Sequence, residues 1–202
     1  MMGMPRTKPV FTVDQYLAFE RSSLDRHEYL DGEVFGMAGE SLKHGYVTVN
    51  LVGLLFNQLR GKPCRALTKD MKVRSGPVPK PHMSTSGMYS YPDVVVVCGE
   101  PEFHDEQKDV ILNPTAILEV LSKTTEDFDR GEKFLRYRKW NPTLRDYLLV
   151  SQEQPRIDRF SVQDDGTWKD WRAEGLYSSM EIPSIGCLLN LAEVYERVVF
   201  GE

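Results

Sequence analysis

Two carboxylates stand where a folded chain seldom keeps them. Asp93 leads the run YPDVVVVC, Tyr91 to Cys98, and Glu119 sits inside AILEVLS, Ala116 to Ser122. Four consecutive valines describe a strand covered on both faces, because no alternation leaves a wet side. An unpaired charge in such a place is costly, so each acid needs a compensating partner. If the two strands are central and adjacent, both acids point into one cleft, and carboxylates within about 4–6 Å repel unless a cation separates them. Hard oxygen ligands suit Mg2+ or Mn2+, which bind through one or two carboxylates plus water and substrate phosphate. Such an ion activates water and steadies charge developing on phosphorus. The plainer readings are an Asp93 that caps a turn after Pro92 and a Glu119 held in a structural ion pair.

The elements that must position these acids can be read from periodicity. Thr12 caps a helix over TVDQYLAFERS, with Val13, Tyr16, Leu17 and Glu20 at helical spacing. RHEYLDGEVFGMAG predicts a hairpin turning at Asp31-Gly32. SLKHGYVTVNLVGLLFNQLRG is an amphipathic helix capped by Ser41, striped by Leu51, Leu54, Leu55 and Leu59, and stopped by Gly61-Lys62-Pro63. CRALTKDMKVRS predicts one strand marked by Ala66, Met71 and Val73. Gly76 to Ser90, rich in proline, glycine and hydroxyl residues, predicts a long exposed loop of the kind that is often functional. The valine strand, a polar connection from Gly99 to Asn113 and the Glu119 strand follow. TEDFDRGEKFLRYRKW predicts a helix capped by Thr125, acids leading and bases trailing. LRDYLLVS, PRIDRFSV and GTWKDWRA read as a meander with a turn at Asp165-Gly166, and NLAEVYERVV as a closing helical turn. The order predicts an α/β (α+β) fold, a central mixed sheet flanked by helices, in one domain spanning 1–202.

The chain has 202 residues, 41% of them hydrophobic and 27% charged, an ordinary globular composition with enough length for a core that needs no staples. No apolar run approaches the roughly 18 residues of a membrane span. Met1 to Val10 has basic residues with no apolar segment behind them, so no secretory signal is read there. Cys64, Cys98 and Cys187 are odd in number and widely spaced. That excludes a complete disulfide framework, shows no metal-type pairing, and points to a reducing cytoplasm. The net charge of −5 argues against a nonspecific coat for nucleic acid and leaves room for a local basic groove.

Pro92-Asp93 followed by Glu119 on the next strand resembles the bipartite acidic motif of the PD-(D/E)XK nuclease superfamily, closest to its Uma-two-type restriction endonuclease branch. The resemblance covers most of the chain: HEYLDGEV as the opening hairpin, the His44 helix, YPDVVVV, ILEVLSKTTEDFDRGEKFLRYRKW and LRDYLLV. One departure is conspicuous. The superfamily places a lysine two residues after the second acid, where this chain has Leu121, which can neither orient water nor offset charge. In this branch the lysine resembles one moved to the following helix, which makes Lys133 the candidate, with Arg130 and Tyr137 on its face. The resemblance further implies Glu28 as a metal ligand or water-orienting acid, His44 as a phosphate contact or packing residue, and a divalent ion held by Asp93, Glu119 and the Val120 carbonyl.

Two functions follow. The first is a Mg2+- or Mn2+-dependent endonuclease hydrolysing DNA, with Asp93, Glu119, Lys133, Glu28 and His44 in its site, the Gly76–Ser90 loop with Lys80 and His82 closing over the duplex, and a homodimer matching two strands. The second is a catalytically silent module of the same fold that binds nucleic acid or a protein partner. A dimeric scaffold with an ion-paired Glu119 is the plainest alternative. A membrane partner is not expected.

Overall fold

The computed structural model describes residues 10–200; Met1 to Pro9, the segment read for a signal, lies outside them apart from its last residue, Val10. Thr12 caps helix α1 (Val13–Ser22) with a full capping box, its side chain accepting from the Gln15 amide while the Gln15 side chain accepts from the Thr12 amide. Strands β1 (His27–Leu30) and β2 (Glu33–Gly36) form the expected hairpin. Asp31 and Gly32 both take positive φ, 46° and 97°, as its two-residue turn requires. Helix α2 (Leu42–Leu59) starts at Ser41, whose hydroxyl accepts from the His44 amide, and buries Val47, Leu51, Leu55 and Leu59.

The segment predicted as one strand after α2 is two, β3 (Cys64–Thr68) and β4 (Lys72–Ser75), and they lie in different sheets. Lys69 to Met71 make a turn between them that a period-two pattern runs straight across. The end of the predicted loop also departs from expectation: Met88–Ser90 is a fully buried strand, β5, paired with both β1 and β4. Three residues are too few for a periodic signal, and their neighbours supply the pairing. The valine strand is β6 (Val94–Cys98); β7 (Val110–Ile111) interrupts the polar connection, and β8 (Ala116–Leu121) carries Glu119. A continuous helical rod follows in three parts, α3 (Glu126–Phe128), a π-helical turn (Asp129–Lys133) and α4 (Phe134–Trp140). Thr125 makes no side-chain cap; the Ser122 hydroxyl accepts from the Thr125 amide instead. The meander is β9 (Asp146–Ser151), β10 (Arg156–Val162) and β11 (Trp168–Glu174). A two-stranded ribbon of β12 (Ser179–Ile182) and β13 (Cys187–Asn190) precedes the short α5 (Leu191–Val194).

The central sheet is mixed and six-stranded, ordered β11-β10-β9-β8-β6-β3, with β8 and β9 parallel and joined by the helical rod. A second sheet, β2-β1-β5-β4-β7, lies beside it. Alternate residues of β6 and β8 feed two cores: Val94, Val96, Leu118 and Val120 pack with Leu51 and Leu55 of α2, while Val95, Val97, Ile117 and Leu121 pack with Phe134 and Tyr137. This is why the valine run needs no polar face. Each valine so buried contributes about 1.5–3 kcal/mol, enough to offset a polar insertion beside it. A third cluster seats Val13, Tyr16 and Leu17 of α1 on Tyr29 and Tyr89. Cys64 and Cys98, directly opposed in the β3–β6 register, form a disulfide, and Cys187 is free and buried. Because this bridge is paired in the fold, the cysteine count no longer speaks for a reducing compartment. Among the described residues, no helix is long and apolar enough to cross a membrane.

Candidate active site

The antiparallel register of β6 and β8 pairs Val94 with Leu118 and so brings Asp93, one residue before β6, opposite Glu119. The two strands are adjacent and central, as the acids required. Val120 lies just past the last β6 pair, and its amide donates to Asp93 Oδ2 at 2.7 Å. A strand residue presents its N–H and C=O to the same side, so the Val120 carbonyl is turned toward Asp93 as well. The Asp93 carboxylate therefore continues the β6 ladder by one rung, which explains how the strand end tolerates a charge.

Glu119 finds its partner on the helical rod. Lys133 Nζ lies 2.9 Å from Glu119 Oε1, 3.3 Å from Asp129 Oδ1 and 3.4 Å from Glu28 Oε1, and both Glu119 and Lys133 are nearly sealed from solvent, 3% and 4% exposed. The Tyr137 hydroxyl donates to Glu119 Oε1 at 3.3 Å and is itself 2.8 Å from the Ser90 hydroxyl. The rod widens into its π turn from Asp129 to Lys133, a form of local irregularity common at functional sites. Tyr147 donates its hydroxyl to the Asp129 carbonyl at 2.9 Å, giving this widened turn a fixed partner in β9.

Glu28 Oε1 also accepts from the Tyr91 amide at 3.0 Å, so the opening hairpin is tied to the segment that leads into Asp93. His44, in the first turn of α2, faces Asp93 Oδ2 with Nε2 at 3.3 Å and Glu40 Oε2 with Nδ1 at 3.4 Å. Lys69 pairs with the other Glu40 oxygen.

The electrostatics follow from burial and charge count. Burial works against the Lys133 ammonium, but Glu119, Glu28 and Asp129 together hold its pKa well above the usual lysine value, so it is charged at any physiological pH. Burial pushes the Glu119 carboxyl up, and the Asp129 and Asp93 charges add to this against the pull of Lys133. At His44 burial favours the neutral ring, and the Asp93 hydrogen bond with the Asp93 and Glu40 charges outweighs it and raises the imidazole. Glu119, Glu28 and Asp129 thus gather around a single ammonium, an excess of carboxylates in a poorly solvated place, with Asp93 opposite Glu119 on the neighbouring strand. The residues fit a hard divalent cation. Hydrogen bonds to the two strand acids go to Asp93 Oδ2 and Glu119 Oε1, while Asp93 Oδ1 and Glu119 Oε2 accept none among the described residues. Those oxygens and the Val120 carbonyl make an all-oxygen donor set suited to Mg2+ or Mn2+.

All five side chains singled out from the sequence, Asp93, Glu119, Lys133, Glu28 and His44, come together here. Arg130 does not: the π turn shifts the helical phase, and its guanidinium pairs with Glu126 and Asp158 on the far side, at 2.7 and 2.9 Å. Asp129 takes the place expected of it. Sequence reasoning missed Asp129 although an acid four residues before Lys133 was a usable signal. It missed Glu40 as well, which stands in the same i, i+4 relation to His44. Ser90 gave no signal. The long loop is tied to α1, with the His82 amide donating to Asp14 Oδ2 at 2.8 Å and the Val13 amide to the Ser84 carbonyl at 2.8 Å.

Comparison with known proteins gives the family and the fold. The family model described as "Uma2: Putative restriction endonuclease" matches residues 13–190. The chain is 33% identical over 192 residues to the uncharacterized protein slr1290 of Synechocystis, covering 95% of each. It is 33% identical over 168 residues to sll1609 of the same organism, covering 83% of this chain and 89% of that one. A crystal structure described as "a putative nuclease belonging to DUF820" from Anabaena variabilis superposes with a TM-score of 0.73 at 13% identity, covering 94% of this chain and 99% of the other. At that identity the likeness is one of fold.

Proposed function

Within the Uma2 family, to which the chain belongs, we propose that this protein is a divalent-metal-dependent endonuclease that hydrolyses phosphodiester bonds in DNA. The observation that supports the reading is Asp93 opposite Glu119 on neighbouring strands, with the Lys133 ammonium 2.9 Å from Glu119. Asp93, Glu119 and the Val120 carbonyl would hold Mg2+ or Mn2+, and a bound ion of this kind supplies Lewis acidity and a more acidic water. The chain's own residues do the rest. Lys133 sets a fixed positive charge beside the acids, where it stabilises negative charge building on a phosphoryl group. Glu28 and Asp129 hold the ammonium in place, and Tyr137 fixes the Glu119 carboxylate. His44 donates toward Asp93 and limits its rotation. Two copies acting together would address the two strands of a duplex.

The test is nicking of supercoiled plasmid with Mg2+ or Mn2+, with EDTA as control. Cleavage by the wild type that is lost in Asp93→Ala and Glu119→Ala is expected; a wild type that cleaves no DNA or RNA with either ion overturns the enzymatic reading. Two observations favour a second reading, a silent module of the same fold: Leu121 is buried where the superfamily keeps its lysine, and the net charge is −5. Such a module would bind nucleic acid or a protein with no dependence on a divalent ion, which calorimetry with and without EDTA separates.

A further inference from the structure

We propose that Arg130, Arg156 and Arg172, gathered around Asp158, form a seat for a backbone phosphate of a DNA strand, a few nucleotides along from the bond to be cut. The sheet register sets its place. Glu119 of β8 pairs with Leu149 of β9, Leu149 with Asp158 of β10, and Asp158 with Arg172 of β11. Directly paired residues project to the same face of a sheet, so these four side chains form one row on the face that the rod covers. At about 4.8 Å between strands, Asp158 lies roughly 10 Å from Glu119 along that row and Arg172 roughly 14 Å. With about 3.4 Å of rise per nucleotide, this is the reach of about three or four nucleotides. Arg156 opens β10 one residue before the Ile157–Val150 pair. It therefore stands at the carboxyl end of β9, the end at which the parallel β8 runs out into Ser122. Ligands approach open α/β sheets from the carboxyl ends of their strands.

The three guanidinium groups share two acids and keep donors to spare. Arg172 Nε donates to Asp158 Oδ1 at 2.7 Å, Arg130 Nη1 to Asp158 Oδ2 at 2.9 Å and Arg130 Nε to Glu126 Oε1 at 2.7 Å. Arg156 stands off, with Nε 3.6 Å from Asp158 Oδ2 and Nη2 3.9 Å from Glu126 Oε1. Its Nε is buried with no hydrogen-bond partner among the described residues, and so is Arg130 Nη2. The Arg172 side chain is 59% exposed, and its bond to Asp158 runs through Nε, which leaves the tip of the fork facing outward. Three cations on two carboxylates leave one positive charge in excess, in a chain whose net charge is −5. Both Asp158 oxygens are already engaged, so further acceptors must come from outside the cluster. A phosphodiester brings oxygens in the spacing that a guanidinium fork accepts. Asp158, buried on the sheet, is the pin that holds the like charges together.

The inference rests on the nuclease reading for its ligand, and the test reads binding apart from cleavage. The full chain is titrated onto a fluorescein-labelled DNA duplex across a salt series in EDTA, and anisotropy gives the affinity. Arg156→Gln and Arg172→Gln should each flatten the slope of log affinity on log salt by about 1, a loss of roughly tenfold near 0.1 M salt that fades toward 1 M. Arg156→Lys and Arg172→Lys keep the charge and should restore the slope. Arg60→Gln, exposed at the far end of α2, should match wild type. Melting in EDTA checks that each variant is folded, and plasmid nicking with Mg2+ should show a higher KM at unchanged kcat in the two Gln variants. A role confined to holding Asp158 would shift melting and leave every salt slope as in wild type, which overturns the seat. Unchanged slopes in a protein that still nicks plasmid remove the seat and leave the endonuclease standing. Arginine-dependent slopes in a protein that nicks nothing keep the seat, on a silent module. A wild type that binds no duplex removes the seat.

Discussion

Replacing Lys133 with methionine is the sharpest perturbation this fold offers. Methionine keeps most of the aliphatic stem, so the packing against the rod survives and the change is electrostatic. What is lost is an almost fully buried ammonium with carboxylate oxygens at 2.9, 3.3 and 3.4 Å. Removing one partner of a buried ion pair costs about 3–5 kcal/mol, because the other charge is left uncompensated. Three acids share this ammonium, which places the loss toward the upper end. For a chain of this size each kcal/mol moves the midpoint by about 2–4 °C, so Lys133→Met should melt roughly 6–20 °C below wild type at pH 7 in EDTA. Glu119→Gln combined with Lys133→Met removes both charges of the shortest contact. It should therefore recover part of the loss, a coupling of about 1–3 kcal/mol. Mn2+ added to Lys133→Met should raise its melting temperature more than it raises that of wild type, since the ion replaces the missing charge. Calorimetric melting of the four proteins decides the matter. A single variant within about 1 kcal/mol of wild type, or strictly additive losses in the double variant, would refute the claim that Lys133 is the charge that holds these acids together.

Three further outcomes are expected. Asp93→Ala strands the Val120 amide and should cost about 1–3 kcal/mol, whereas Asp93→Asn keeps an accepting oxygen and should unfold near wild type in urea, although both variants lose cleavage. Asp109 is held at about 2, burial opposing and the Arg21 and Lys72 hydrogen bonds prevailing, so its stabilisation is complete above the ordinary aspartate range and is lost as pH falls through that value. The melting difference between wild type and Asp109→Asn should therefore be full at pH 6 and shrink between about pH 4 and pH 2. Gly76 and Gly87 cross at the neck of the long loop, where a Cβ on Gly76 would meet the Gly87 Cα at 2.6 Å; Gly76→Ala should cost about 1–3 kcal/mol in a urea melt.

The parts of this molecule that the sequence made legible are those set by local chemistry. The Asp31-Gly32 turn needs positive φ, the Ser41 and Thr12 caps need an oxygen for an orphan amide, and the valine run needs cover on both faces; each was readable and each is present. What depends on distant pairing was not. β5 is a strand only because β1 and β4 flank it, and β3 and β4 separate because they answer to different sheets. The Cys64–Cys98 bridge follows from the β3–β6 register, which spacing alone does not specify. At the site, the oddity of Asp93 and Glu119 was visible in their apolar surroundings, but Lys133 looks like any surface lysine and was reached through resemblance to a family. Arg130 misled because a regular helix was assumed where the π turn resets the phase.

The central claim is that Asp93, Glu119 and Val120 hold one divalent ion with Lys133 beside it. A crystal soaked in Mn2+ tests it most directly, through the ion's anomalous scattering. A peak within ligand distance of Asp93 and Glu119 is expected, with the Lys133 ammonium still against Glu119. A fully exchanged crystal with no peak touching both acids, the Glu119–Lys133 pair unchanged, would contradict it.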